Sequence, residues 1–329
     1  MIHPIPPGTR DVLPDEMREL RRLERAMVDV FEARGYGEVA TPAIEYDEVL
    51  SRGDGRTGSG YRFFDENGDL LALRSDMTVP IARLVSSRYA EAETPLRLCY
   101  LASAYRAVRP QRGQMREFVQ VGVELIGAPG AQGTAEVIEV LEATLDAAGL
   151  DRAVIGLGDA DLYRQLLTEF GLEGEIRDSI LARLARHDLV GLEQELSEAG
   201  IGDQQVVTCL TLSQLRGGSE VLEQARGLGG PTVERATARL QQTYDALAEL
   251  GAAERVQIDL GLLRDLGYYS GAILEVYDPA MGYVLGGGGR YDGLMRRFGL
   301  DLPAAGFALY LERVHVAQME EESRRGRGS

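Results

Sequence analysis

The chain has 329 residues and a formal charge of −17, and all 35 of its basic residues are arginine. That length holds one large domain or two ordinary ones with a sizeable core, and the acidity excludes extended RNA or DNA binding except at a local basic patch. Cys99, Cys209 and the three histidines stand apart without metal-ligand spacing, and neither a signal-peptide start nor a membrane-length apolar run occurs. We therefore expect a cytoplasmic protein with no cofactor, metal, disulfide framework or membrane segment.

Met17, Leu20, Leu23, Met27, Val30 and Phe31 recur at helical spacing between Pro14 and Gly35 and predict an amphipathic helix. Residues 36–41 read as a strand stopped by Pro42, a place that suits a sheet edge or an interface. A Gly-rich polar loop over 51–60 precedes two short apolar runs, 61–64 and 70–73, and the Asn67-Gly68 between them signals a hairpin. Asp76 and Thr78 fall at a strand-to-helix junction before a helix over 79–90, where capping by itself accounts for such residues.

The densest chemistry lies over 96–127. Val119, Val121, Val123 and Leu125 alternate with Gln120, Gly122 and Glu124, so one strand face is core and the other carries an amide and a carboxylate. Residues 98–106 are also strand-like, and a loop with Arg106, Arg109, Arg112 and Arg116 around Pro110 and Gly113 joins the two. This predicts an antiparallel hairpin with a cationic loop beside a polar sheet face. A solvated face with idle charges fits the same residues.

A helix over 134–148 follows, and then a short strand at 153–158 enters another helix but lacks the third glycine of a dinucleotide fingerprint. Residues 162–251 are almost wholly helical in pattern and look like an insertion, because strands resume at 257–260, 263–271 and 272–277. Gly286 to Gly289 permit close backbone approach to a ligand or another strand, but no Lys-Ser/Thr makes them a phosphate loop. The predicted organisation is a core over 1–170, a helical insertion over 171–250, a second core part over 251–319, and a disordered tail over 320–329.

Several separate segments resemble the catalytic core of the histidyl-tRNA synthetase family, of the class II aminoacyl-tRNA synthetases. Pro7-Gly8-Thr9-Arg10-Asp11-Val12-Leu13-Pro14 is similar to that family's N-terminal signature, and the first helix, strand and Pro42 to motif 1, a dimer-interface element. Tyr105-Arg106 through Gln120 and Glu124 resembles motif 2, residues 263–269 the histidine-specific Arg-Gly-Leu-Asp-Tyr-Tyr element, and 306–313 motif 3. The resemblance implies an α+β fold in which an antiparallel or mixed sheet is flanked by helices and carries a helical insertion. It also implies a histidine pocket: Asp76, Thr78 and Gln120 at the α-ammonium, Glu124 with Tyr268 or Tyr269 at the imidazole, and Arg106 and Arg264 facing the carboxylate.

The departures point away from catalysis. Val108, Gln114 and Gly267 replace a Glu, an Arg and an Asp of the family pattern, and Asp76 stands for a Glu. Losing a carboxylate and a guanidinium weakens triphosphate positioning. The family's anticodon-binding domain would begin where this sequence has only about fifteen more residues after Arg313. A kept amino-acid pocket with a weakened nucleotide site is similar to the regulatory subunits of ATP phosphoribosyltransferase, synthetase-like proteins that partner the short-form catalytic subunit in the first step of histidine biosynthesis. That resemblance implies a non-catalytic histidine sensor for feedback inhibition, a homodimer through motif 1 inside a hetero-octamer, and no tRNA. Arg116 and Arg313 then become remnants of a nucleotide site. Two further readings remain open: a ligase that adenylates histidine or a related amino acid for a non-tRNA acceptor, favoured by Arg106, Arg116 and Arg313, and an oligomerisation scaffold with a vestigial pocket.

Overall fold

The computed structural model describes residues 4–54, 60–107, 115–264, 267–279 and 281–327. Val108, Arg109, Pro110, Arg112, Gly113, Gln114 and residues 55–59 of the Gly-rich loop lie outside them. Helix α1 (Pro14–Ala33) starts on Pro14, carries Asp15 and Glu16 in its first turn, and buries Leu20, Leu23, Met27 and Phe31, as its spacing predicts. Strand β1 (Gly37–Glu38) is shorter than the sequence suggests and pairs at a sheet edge, just before Pro42 removes a donor. Next come β2 (Ile44–Tyr46), α2 (Asp47–Asp54), β3 (Arg62–Phe64) and β4 (Leu70–Leu73), the three strands forming a small sheet in the order β2-β4-β3. Its hairpin turns where Asn67-Gly68 predicts, with Asp65 Oδ1 accepting from the backbone N–H of Asn67 at 2.9 Å and Asp69 at 2.8 Å.

Helix α3 (Thr78–Arg88) leads to the central hairpin of β5 (Leu96–Tyr105) and β6 (Glu117–Ile126). Helix α4 (Gly130–Ala147) begins four residues earlier than the apolar period indicates, on the N-cap Pro129. Then follow β7 (Val154–Asp159), α5 (Leu162–Glu169), α6 (Gly174–Ala185), α7 (Leu189–Glu198) and α8 (Asp203–Leu212). Strand β8 (Arg216–Gly217) interrupts the helical block and pairs with β9 (Val256–Asp259), after α9 (Glu220–Arg226) and α10 (Pro231–Leu250). The remaining strands are β10 (Ala272–Tyr277), β11 (Gly286–Arg290) and β12 (Ala304–Tyr310), with one 3-10 turn at Met295–Phe298. Two expectations are corrected here. The described part of 263–271 is turn and irregular backbone rather than strand, and α11 (Leu311–Arg327) continues as helix through 320–327, which the composition suggests as a disordered tail.

The main sheet runs β1-β5-β6-β12-β11-β10-β7-β9-β8, antiparallel except at β1/β5 and β7/β9. It is a mixed sheet flanked by helices, as the family resemblance implies. One face packs against α1, α4 and α10 in a large core that takes Val121, Val123 and Leu125 from β6. A second, smaller apolar cluster on the other face gathers Met77 and Ile81 with Tyr100, Tyr268, Tyr269 and Tyr291. The period-2 alternation of β6 thus separates two cores, and the polar face is not solvated: Gln120 is 3% and Glu124 1% exposed.

Candidate functional site

Glu124 is the deepest polar group of this second face. Across the sheet it sits opposite Gly306 of β12, where a Cβ would come within 1.9 Å of Glu124 Oε2, so only glycine leaves room for the carboxylate. Thr78 Oγ1 donates to Glu124 Oε1 at 2.8 Å, and the Tyr291 hydroxyl donates to Oε2. Burial pushes the Glu124 carboxyl up to about 8, against the pull of these hydrogen bonds, and the nearby Asp76 adds to the rise. Tyr291 itself is raised well above its ordinary value by burial and by Glu124. Burial therefore favours the neutral form of this acid.

Above it lies a narrow cavity, with about 390 Å3 of empty space counting its mouth, whose walls include Asp76, Thr78, Gln120, Arg106, Arg264, Tyr268 and Tyr269. Asp76 caps α3, its Oδ1 accepting from Val79 N–H at 3.2 Å, so the capping role and a place in the cavity wall coincide in one side chain. Gln120 lines the same cavity, and its Oε1 is buried and accepts no hydrogen bond among the described residues. Tyr268 and Tyr269 stack at 4.9 Å between ring centres, and burial pushes Tyr269 up to about 12 despite Arg264 beside it.

The opposite end is cationic. Arg264 donates to the Leu274 carbonyl at 2.9 Å and lies 5.9 Å from the Tyr269 ring centre. It passes over Gly287, where a Cβ would meet Nη1 at 1.6 Å, which gives the glycine run of β11 a specific purpose. Arg106 donates to the Tyr310 hydroxyl at 3.2 Å and covers Phe118. Arg313 donates to the Val284 carbonyl at 2.6 Å and stacks on Tyr310 at 4.5 Å. Although burial raises Tyr310, the guanidiniums of Arg106, Arg264 and Arg313 outweigh it and pull its phenol below the ordinary value.

The fold thus brings together seven of the expected binding residues in the cavity wall, with Glu124 directly beneath. Arg116 is placed elsewhere, its backbone N–H donating to the Gly8 carbonyl at 2.7 Å and its side chain beside that glycine. Arg313 is not among the cavity-wall residues but stacks on Tyr310, which is. Sequence reading misses Tyr291 and Tyr310, although each follows a recognisable signal: Tyr291 ends the glycine run, and Tyr310 closes the strand before Arg313.

The histidyl-tRNA synthetase family model matches residues 8–314. An ATP phosphoribosyltransferase regulatory subunit of Moorella thermoacetica is 42% identical over 319 residues, 96% of this chain and 82% of that protein. One from Desulforamulus reducens is 41% identical over 94% of this chain and 78% of its own. The chain belongs to the histidyl-tRNA synthetase-like family of ATP phosphoribosyltransferase regulatory subunits. The crystal structure of an ATP phosphoribosyltransferase regulatory subunit/histidyl-tRNA synthetase from Bacillus halodurans superposes with a TM-score of 0.88, at 33% identity, covering 97% of this chain and 84% of that one. Within this family fold the polar side of the hairpin is a closed site, with acid and phenols at one end and guanidiniums at the other. Among the described residues no cluster of His, Cys, Asp and Glu could hold a metal ion, and no helix is long and apolar enough to cross a membrane.

Proposed function

We propose that this chain is the regulatory subunit of an ATP phosphoribosyltransferase, binding free L-histidine in the cavity over Glu124 to inhibit a short-form catalytic partner in the first step of histidine biosynthesis. The observation that carries the histidine reading is the polarity of one buried slot. Gln120 and Asp76 offer acceptors to an α-ammonium, Glu124 with Tyr268 or Tyr269 offers a carboxyl and a phenol to a ring with one donor and one acceptor, and Arg106 and Arg264 face a carboxylate. The names of the relatives support the regulatory role. A homodimer through motif 1 fits the place of β1 at an edge of the main sheet.

Calorimetric titration of the purified chain with L-histidine, with and without ATP, tests the reading. Saturable binding of histidine and of no other amino acid, unaffected by ATP, is expected, together with histidine inhibition of the enzyme reconstituted with a short catalytic subunit. No histidine binding would leave only a scaffold. The guanidiniums of Arg106 and Arg313 around Tyr310 favour a second reading, a histidine-adenylating ligase, and histidine-dependent exchange of pyrophosphate into ATP would establish it.

A further inference from the structure

On the side of Arg264 away from the amino-acid cavity, an open cleft of about 770 Å3 runs between α5 and α6, lined by Arg164, Arg177, Arg186 and Arg264 over Leu181 and Leu263. Asp178 is the one carboxylate among its lining residues. Arg177 and Leu181 are four apart on α6, so they share one helix face. A second cavity, of about 540 Å3, continues past Arg164 and Arg177 to Arg235 and the start of α10 at Pro231. This concentration of cations occurs in a chain with 52 acidic and 35 basic residues. Like charges gathered in one concavity repel one another, and among the described residues neither Arg164 nor Arg186 is in a salt bridge. The Arg177 Nε itself meets Asp178 Oδ1, at 3.5 Å and without hydrogen-bond geometry, and Asp178 is largely exposed. Arg164 and Arg186 feel the nearby carboxylates of Asp161 and Asp188, neither of which lines the cleft, and four guanidiniums converging on one concavity are an arrangement that an anion completes.

We propose that this cleft binds a small phosphorylated anion, whose phosphate oxygens take the guanidinium forks of Arg164, Arg177 and Arg186. Size follows from charge. A long nucleic acid would feel the repulsion of the whole acidic surface, whereas a compact anion inside the cleft feels mainly the groups within a screening length of about 8–10 Å. The apolar floor suits the sugar or ring of such a molecule. Arg264 lines both this cleft and the amino-acid cavity, so occupancy of one site changes affinity at the other by the same factor in both directions. This coupling rests on the histidine reading; the anion site does not.

Equilibrium titration with pyrophosphate at low ionic strength tests the proposal. The folded wild-type chain should bind it saturably. Arg164→Gln/Arg186→Gln should bind it roughly ten-fold or more weakly, Arg164→Lys/Arg186→Lys should lose part of that factor because an ammonium lacks the planar fork, and the charge-matched control Arg18→Gln/Arg296→Gln, on exposed positions, should be unchanged. Circular dichroism checks that each variant is folded, and the Lys pair decides the matter if the Gln pair is not. Absence of saturable pyrophosphate binding, equal weakening in the control, or binding of RNA but not of pyrophosphate would each overturn the site.

Discussion

The two ends of the cavity use the same residue type to opposite effect. At one end Tyr291 donates to Glu124, and burial with that neighbouring acid drives its phenol well above the ordinary range; at the other, Tyr310 lies among Arg106, Arg264 and Arg313, which lower it. Tyr291 is buried and Tyr310 half-buried, and burial raises the phenol in both, so burial alone does not explain the opposite shifts. The sign of the adjacent charge does. A slot polarised in this way reads a ligand end to end, and a zwitterion has one orientation in which every charge meets its complement.

Breaking the acid end should have the largest effect. Glu124→Ala removes the group on which Thr78 and Tyr291 converge, leaving buried hydroxyls unpaired, and we expect histidine affinity to fall by about 2–3 kcal/mol, roughly 30- to 150-fold, while heteromeric assembly persists. Calorimetry with size-exclusion chromatography checks both halves, and unchanged histidine inhibition would place the ligand elsewhere. Gly306→Ala attacks the same end without touching its chemistry. The added methyl falls within contact of Glu124 Oε2, so the carboxyl must shift, and affinity should drop on the order of ten-fold. A variant that binds histidine like the wild type would show that the glycine serves only the sheet.

The acid end can also be read through stability. The Glu124 carboxyl has an ordinary value of 4.5 and is pushed up to about 8 in the folded chain. Between those pH values the folded state holds a proton that the unfolded chain has released, so the contribution of this group falls as pH rises through that window. The whole change is on the order of 5 kcal/mol. Glu124→Gln, which does not titrate, should flatten the decline in melting temperature between pH 5 and 8. Parallel wild-type and variant curves would show that the carboxyl is not perturbed.

How much of this was legible in the sequence depended on the range of the contacts. The two-residue alternation of β6 announced one core and a polar face, whereas a pocket of Asp76, Thr78, Gln120 and Glu124 was implied only by the family resemblance, since local pattern read Asp76 and Thr78 as caps. Residues 263–271 misled because Leu263, Tyr268 and Tyr269 have strand composition, yet Tyr268 and Tyr269 go into the cavity wall and Leu263 into the neighbouring cleft, from described backbone that is not strand. Tyr291 and Tyr310 were invisible for another reason: their partners, Glu124 and Arg106, are 167 and 204 residues away in the chain. The glycine run showed that something comes close to the backbone, but only the fold shows that it is Arg264 over Gly287. Residues 320–327 follow α11 because Glu321, 2% exposed, accepts from the backbone N–H of Asp151 and Arg152, an anchor that no local pattern reveals.

The smallest expected effect on binding is at Tyr310, and it tests the cationic end most directly. Tyr310→Phe keeps the ring stacked on Arg313 and Phe118 and removes only the hydroxyl that accepts from Arg106, so histidine affinity should change by no more than about five-fold. Its spectroscopic effect should be clear. Exposed tyrosines ionise near pH 10, and because three guanidiniums favour the phenolate, the wild-type chain should show one tyrosine titrating below that value by ultraviolet absorbance. That early transition should vanish in Tyr310→Phe and move upward in Arg106→Gln, where one stabilising cation is gone. If it survives in Tyr310→Phe, the low phenol belongs to another residue, and the guanidiniums do not converge on Tyr310 in solution.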